Sequence, residues 1–381
     1  MTQRDFVRQM PNIGLRPSAT PGLWRRLHLD PWLLLLLVML SIGGLVVLYS
    51  ASGQDLDAVL RQGRFFLIAF AVMLFMAQLD PERIKRVTPF VYVGGVGLLV
   101  AVLVMGTDAK GAQRWLSVGG FRFQPSEIMK LVVPMAAAWY LSARTLPPRF
   151  KHVGVALVLV ALPAALIVRQ PDLGTAILIA ASGLFVLFLA GVAWKLIFSA
   201  LGLAVLGSWP LWHFVMHDYQ RQRVLTLLNP ESDKLGAGWN IIQSKTAIGS
   251  GGWAGKGWLH GTQSHLDFLP ESHTDFIIAV LAEEFGLRGV LVLLALYLLV
   301  ILRSMWIASQ AQHCFGRLLA GSIVLTYFVY VFVNMGMVSG LLPVVGVPLP
   351  LVSQGGTALV TLLAGFGLLM AIGTEKRVLT Q

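Results

Sequence analysis

Ten apolar stretches separated by polar connections decide what this chain can become: residues 31–50, 65–79, 87–105, 126–141, 153–168, 173–194, 196–215, 276–302, 318–338 and 351–372. A hydrocarbon core about 30 Å thick calls for about 20 apolar residues in a helix, and most of these stretches approach that length. Hydrophobic residues make up 56% of the 381 and charged residues 12%, with a mean hydropathy of +0.74. One soluble core cannot bury that much apolar surface. The expected fold is therefore an all-α integral membrane protein, a bundle of about ten transmembrane helices in one domain spanning 31–372. The apolar run from Leu33 to Ser50, followed by Ala51-Ser52-Gly53, exceeds the core of a secretory signal and has further spans behind it, so it reads as a retained first helix.

Basic residues orient the bundle, because short loops rich in Lys and Arg stay in the cytoplasm. With an even number of crossings, the side carrying both ends holds Arg4, Arg8, Arg16, Arg25, Arg26, Arg83, Lys85, Arg86, Arg144, Arg149, Lys151, Lys195, Arg303, Arg317, Lys376 and Arg377, sixteen in all. Short loops on the other side hold six: Arg61, Arg64, Lys110, Arg114, Arg122 and Arg169. Residues 1–30, with Pro11, Pro17 and Pro21, and residues 373–381 are then cytoplasmic tails, and the long loop 216–274, between the seventh and eighth helices, faces the periplasm. The net charge of +11 does not point to nucleic acid, since these cations are scattered through topogenic loops. The single cysteine, Cys314, falls in an inner loop and excludes a disulfide within the chain.

The loop 216–274 is far longer than a connection needs, and its content argues for function. Val224–Leu228 and Trp239–Lys245 are short amphipathic pieces suited to a membrane surface. The glycine-rich run from Gly249 to Trp258 is not a Walker loop: Ser250 stands five before Gly255, and Gly257 follows Lys256 where Ser or Thr is required. It remains open as a hinge, or as a nest whose N–H groups, with Lys256, receive pyrophosphate. The loop closes on Glu271-Ser272-His273-Thr274-Asp275, at the mouth of the apolar stretch 276–302. A carboxylate at the water boundary of an oily protein is costly to keep unless something uses it, which makes Asp275 the first candidate for chemistry, with His273 and Glu271 beside it. Thr274 or Asp275 could instead cap the helix.

Charges inside the spans form a second group of candidates. Glu127 and Lys130 are i,i+3 neighbours, as a structural pair or as the lining of a substrate path. Glu284 and Arg288 are spaced i,i+4 and can neutralise each other. Arg114 stands beside Trp115, and Arg169 and Asp172 share a tight outer turn.

Taken in order, several long motifs resemble the SEDS family of cell-wall proteins, most of all its elongation-type members. They are Lys110-Gly111-Ala112-Gln113-Arg114-Trp115, Phe123-Gln124-Pro125-Ser126-Glu127, Gln170-Pro171-Asp172-Leu173-Gly174-Thr175 and His217-Asp218-Tyr219-Gln220-Arg221-Gln222-Arg223. Further on come Gly257-Trp258-Leu259-His260-Gly261-Thr262-Gln263, His273-Thr274-Asp275-Phe276, Gly346-Val347-Pro348-Leu349-Pro350 and Ser353-Gln354-Gly355-Gly356. Asp267 stands where relatives are expected to carry Glu, which keeps the charge.

The resemblance implies a peptidoglycan glycosyltransferase of the bacterial inner membrane that polymerises lipid II during elongation and rod-shape maintenance. It maps the family's essential aspartate onto Asp275 and its polar cavity residues onto Arg114, Glu127, Lys130 and Asp172. In the implied reaction a sugar 4-hydroxyl attacks an anomeric carbon, inverts it and expels undecaprenyl pyrophosphate. That leaving group needs no proton, so one base suffices where a glycosidase needs two carboxylates. Arg114, Lys130, Arg221, Arg223 and Lys256 are the candidates to hold pyrophosphate, and His273 completes the candidate set. A divalent cation, Mg²⁺ or Mn²⁺, suits the same chemistry, although no closed ligand set is visible. The implied partners are a class B penicillin-binding protein, supplying the transpeptidase, and other elongation-complex proteins. Two other readings compete: a lipid II flippase, against which no inverted repeat is seen, and a non-enzymatic scaffold of the elongation machinery.

Overall fold

The computed structural model describes residues 24, 27–109, 112–118, 121–210, 212–213, 216, 218–233, 236–262 and 272–374. Each of the ten apolar stretches coincides with a helix: α1 (Pro31–Ala51), α2 (Leu56–Ala77), α3 (Pro81–Met105), α4 (Pro125–Ser142), α5 (Phe150–Val168), α6 (Leu173–Leu189), α7 (Trp194–Pro210), then, after α8 (Asp218–Leu228) and α9 (Ala237–Gly251) in the loop, α10 (Ile277–Ser309), α11 (Cys314–Val338) and α12 (Thr357–Thr374). Seven of them, α1, α2, α3, α5, α10, α11 and α12, are long and apolar enough to cross a membrane.

Local chemistry sets the starts. Asp30, Asp55 and Asp80 cap α1, α2 and α3 through side-chain oxygens that accept from backbone N–H groups, and Pro31 and Pro81 open α1 and α3 with φ already helical. Asp30 also pairs with Arg303 at 2.6 Å, tying the start of α1 to the last turns of α10. Leu67, Phe90, Val93, Phe150, Val158 and Leu206 are exposed, as expected where lipid is the solvent.

α4 lies at the centre, packed by α3, α5, α6, α11 and α12, and Glu127 and Lys130 on it are buried with its apolar residues. α2 and α12 pack along each other; a Cβ on Gly367 would strike the Met73 backbone. α1 meets the segment before α12 as closely, since a Cβ on Gly44 would press on the backbone of Leu351 and Val352.

Four features differ from the sequence expectations. The chain is not wholly helical: β1 (Thr107–Ala109), β2 (Ala112–Val118) and β3 (Phe121–Phe123) form an antiparallel sheet in the order β1-β2-β3 between α3 and α4. These strands are too short to announce themselves beside spans several times their length; the sequence signal was Gly119-Gly120 between Val118 and Phe121. The two amphipathic loop pieces are helical, but α9 packs onto α10 and α11 through Ile241, Ser244 and Ala247. Finally, α10 breaks at Gly286, with φ 66° and ψ −163°. The break interrupts the i,i+4 register between Glu284 and Arg288; Ser50 donates to Glu284, and Arg288 lies over the Trp253 ring at 5.9 Å. Cys314 opens α11 rather than sitting in a loop.

Candidate functional site

A polar cavity of about 300 Å³ opens where β2, α4, α6, α8, α11 and the segment before α12 converge. Into it come Arg114 from β2, Glu127 and Lys130 from α4, Asp172 from the start of α6, Arg223 from α8 and Tyr330 from α11. Its volume is at the lower end of the range for small-molecule sites.

The floor is an ion pair held by helical spacing. Lys130 Nζ donates to Glu127 Oε1 at 2.7 Å, with both side chains buried, and lies 5.2 Å above the centre of the Tyr330 ring. The second oxygen of Glu127 is buried without a hydrogen-bond partner among the described residues. Asp172 caps α6 by accepting from Thr175 N at 3.2 Å, accepts from Gln124 Nε2 at 3.0 Å, and faces Arg114 at 3.9 Å. Arg114 in turn donates to the carbonyl of Pro171, so strand β2 and the turn before α6 are fastened across the cavity. Gly174 is needed there because a Cβ would press on the Val345 carbonyl.

Asp275 sits in the turn before α10, half-buried. Phe276 occupies the capping position of that helix, so neither Thr274 nor Asp275 fills it. Asn334, fully buried in α11, donates from one amide nitrogen to the Asp275 carbonyl at 2.9 Å and to the Val347 carbonyl at 2.8 Å. Across this bridge lies Gly346, a cavity-wall residue with φ +73°, whose added Cβ would stand 3.6 Å from Asp275 Oδ2. The carboxylate is therefore next to a residue that lines the cavity holding the cations, although Asp275 is not itself part of that lining. The wall segment is stapled further: Gln354 N donates to the His273 carbonyl at 3.0 Å, Gly355 N to Gln62 Oε1 at 3.2 Å, and Leu349 N to Ser353 Oγ at 2.8 Å.

The structure thus brings together Arg114, Glu127, Lys130, Asp172 and Arg223, with Asp275 outside the lining but beside Gly346, which belongs to it. His273 is half-buried in the same turn. Arg221 is on α8 with Arg223 but outside the cavity lining, donating to the His213 carbonyl at 3.0 Å. Lys256 lies outside the lining of this cavity and donates to Glu283 Oε1 and Thr262 Oγ1, each at 2.7 Å. The nest reading of its loop also gives way, because the amides of Lys256 and Gly257 already donate to the carbonyls of Glu283 and Glu284. Glu271 and Asp267 lie outside the described residues.

Sequence reasoning missed Asn334, Gln62 and Tyr330. Asn334 carried a usable signal, since a polar side chain inside an apolar span is expensive unless it binds something, whereas Gln62 stands between Arg61 and Arg64 in a polar stretch. Among the described residues, no group of three or more His, Cys, Asp or Glu side chains is placed to hold a metal ion.

The family described as cell cycle protein, FtsW/RodA/SpoVE, matches residues 31–378. Peptidoglycan glycosyltransferase MrdB of Escherichia coli K12 is 56% identical over 358 residues, 94% of this chain and 97% of the relative. A solved structure described as a peptidoglycan synthase complex coordinating polymerization and crosslinking contains a chain with TM-score 0.80 at 30% identity, covering 90% of this chain and 97% of that one. The rod shape determining protein RodA of Thermus thermophilus gives TM-score 0.68 at 28% identity, covering 90% and 96%. On the matched residues, the shared fold and the motifs around its cavity, this chain belongs to the FtsW/RodA/SpoVE family, the SEDS proteins that its sequence resembles.

Proposed function

We propose that this chain joins lipid II units into glycan strands on the periplasmic face of the inner membrane, with Asp275 as the base. As its relatives at high identity indicate, the chain is a peptidoglycan glycosyltransferase and an integral inner-membrane protein; the site assignment is the new reading. The observation that carries it is the Asp275 carboxylate lying against Gly346, in the wall of a cavity supplied with Arg114, Lys130 and Arg223. All ten apolar helices cross the bilayer, so both tails are cytoplasmic and the loop 216–274 is periplasmic, in accord with the distribution of Lys and Arg.

Asp275 takes the proton from the attacking 4-hydroxyl as the new bond forms at the anomeric carbon and the bond to undecaprenyl pyrophosphate breaks with inversion. A positioned base of this kind contributes about 10²–10⁴-fold. The departing charge is met by Arg114 and Arg223, whose flat guanidinium groups match phosphate oxygens, and by Lys130 on the floor. The protein's own dipoles are fixed before reaction by the Asn334 bridge and the Asp172 cap. A divalent cation fits as a substrate-borne ion: Glu127, with one oxygen left open, and Asp172 would hold it, and it would neutralise pyrophosphate. The chain's partner is then a class B penicillin-binding protein, which crosslinks the strands this chain makes.

Purified protein in liposomes containing only lipid II tests the function. Polymer appearing on the lumenal or outer face without any other protein supports the reading. Lipid II crossing the bilayer with no polymer would establish a flippase, and inactivity until a partner supplies its own polymerase would establish a scaffold.

A further inference from the structure

The break in α10 at Gly286 orphans carbonyls before it and amides after it, which is costly inside a spanning element. Residues 252–257 act as a splint. The amides of Lys256 and Gly257 donate to the carbonyls of Glu283 and Glu284, both at 3.0 Å, and the amides of Leu287 and Arg288 donate to the carbonyls of Gly252 and Trp253 at 2.9 and 3.3 Å. The fit excludes side chains: a Cβ on Gly255 would strike the Glu284 carbonyl, and one on Gly286 the Gly255 amide. α10 is thus two helices, and the outer one, 277–285, is a separate short rod with Asp275 just before its first turn.

Over the splint sits a buried charge that the reaction described above does not use. Glu283 is fully buried, and its Oε1 accepts from Lys256 Nζ at 2.7 Å, from Thr262 N at 2.8 Å and from Thr262 Oγ1 at 3.0 Å. Apolar packing would hold a rod in place as firmly as a buried ion pair does, and often at less cost; what converging charged bonds add is one geometry. The rod is then fixed at two points: by Asn334 holding the Asp275 carbonyl at one end, and by the Glu283 cluster near the other. Eight residues separate them, about 12 Å at the helical rise of 1.5 Å per residue, so a tilt of about 5° displaces one end by about 1 Å. Displacement of a catalytic group on that scale costs on the order of 10²-fold in rate.

We propose that Glu283, Lys256 and Thr262 form a clamp that sets where Asp275 meets the sugar hydroxyl, making all three positioning residues for glycosyl transfer, a role that rests on Asp275 acting as the base. Lys256, assigned from sequence to pyrophosphate, serves instead to aim the base from below.

Lipid II turnover by the purified full-length protein in liposomes tests this with Lys256→Met, Glu283→Gln, Thr262→Val, Lys256→Arg and the Lys256→Met/Glu283→Gln double variant. The clamp predicts kcat lower by roughly 10–100-fold in Lys256→Met and Glu283→Gln, with KM within about twofold. The double variant falls no further than the worse single, because both remove one unit. Lys256→Arg, which can keep the pair, restores most of the rate, and the exposed Thr262→Val loses several-fold. Near-normal kcat in folded Lys256→Met, or in Thr262→Val if the charged variants do not fold, overturns the clamp. A raised KM with unchanged kcat overturns it too and returns Lys256 to substrate binding. If Asp275→Asn is inactive while the clamp variants turn over normally, only the clamp fails; if Asp275→Asn stays active, the base assignment fails.

Discussion

At the scale of single residues, the site depends on a few polar groups inside apolar helices. Asn334 is the clearest: one amide nitrogen serves the carbonyls of Asp275 and Val347. Asn334→Ala leaves both carbonyls short of a partner, at about 1–3 kcal/mol, and frees the turn that carries Asp275. We expect lower thermal stability in detergent together with a kcat reduced at least tenfold, and a variant with wild-type values in both would remove Asn334 from the site. Gly346→Ala is a second test, because φ +73° strains any side chain and the new Cβ stands 3.6 Å from Asp275 Oδ2. The strain should lower the melting temperature, and turnover should fall with it if the segment beside Asp275 shifts to relieve it, read as kcat against melting temperature. Asp275 stood out in the sequence as a candidate because a loop acid at a helix mouth is conspicuous. Asn334 stands out in a long apolar run as a polar group in need of partners, but which partners shows only when its two acceptors, far apart in the chain, are seen side by side.

At the scale of elements, α4 and α10 show what a linear reading captures and what it leaves out. The spacing of Glu127 and Lys130 placed both on one face of α4, and the 2.7 Å pair follows from that geometry. The spacing of Glu284 and Arg288 supported the same inference and failed, because Gly286 breaks the register between them. A glycine in an apolar helix is common, so only the splint from residues 252–257 reveals it as a joint. The α4 pair yields a prediction of its own. Removing one partner strands a buried charge at about 3–5 kcal/mol, so Glu127→Gln and Lys130→Met should each lower the yield of folded protein. The double variant should recover folding without turnover, measured by size exclusion and lipid II polymerisation. Recovery of both would make the pair scaffolding alone.

At the scale of the whole molecule, apolar length carried most of the fold. The ten apolar stretches each fall on a helix, and among the described residues seven of these helices satisfy length and hydropathy together. α4 holds buried charge, α6 has 17 residues, and α7 has 17. The sheet β1-β2-β3 was not legible, since three short strands contribute little beside helices that dominate the pattern. The cavity, which gathers residues from β2 to α12, depends on tertiary approach that no local period encodes. Orientation can be checked directly in a Cys314→Ser background with Gln54→Cys in the α1–α2 turn and Arg149→Cys before α5, both exposed. A membrane-impermeant maleimide added to intact spheroplasts should label the first and spare the second. The reverse pattern would place the cavity on the cytoplasmic side and remove it from the proposed reaction.

The most direct measurement is glycan synthesis by Asp275→Asn, an isosteric change that keeps the hydrogen-bonding shape and removes the base. Reconstituted with lipid II, the variant should remain monodisperse and bind substrate with a near-normal KM while its kcat falls about 10²–10⁴-fold. Polymer made at the wild-type rate by that variant would contradict the central claim.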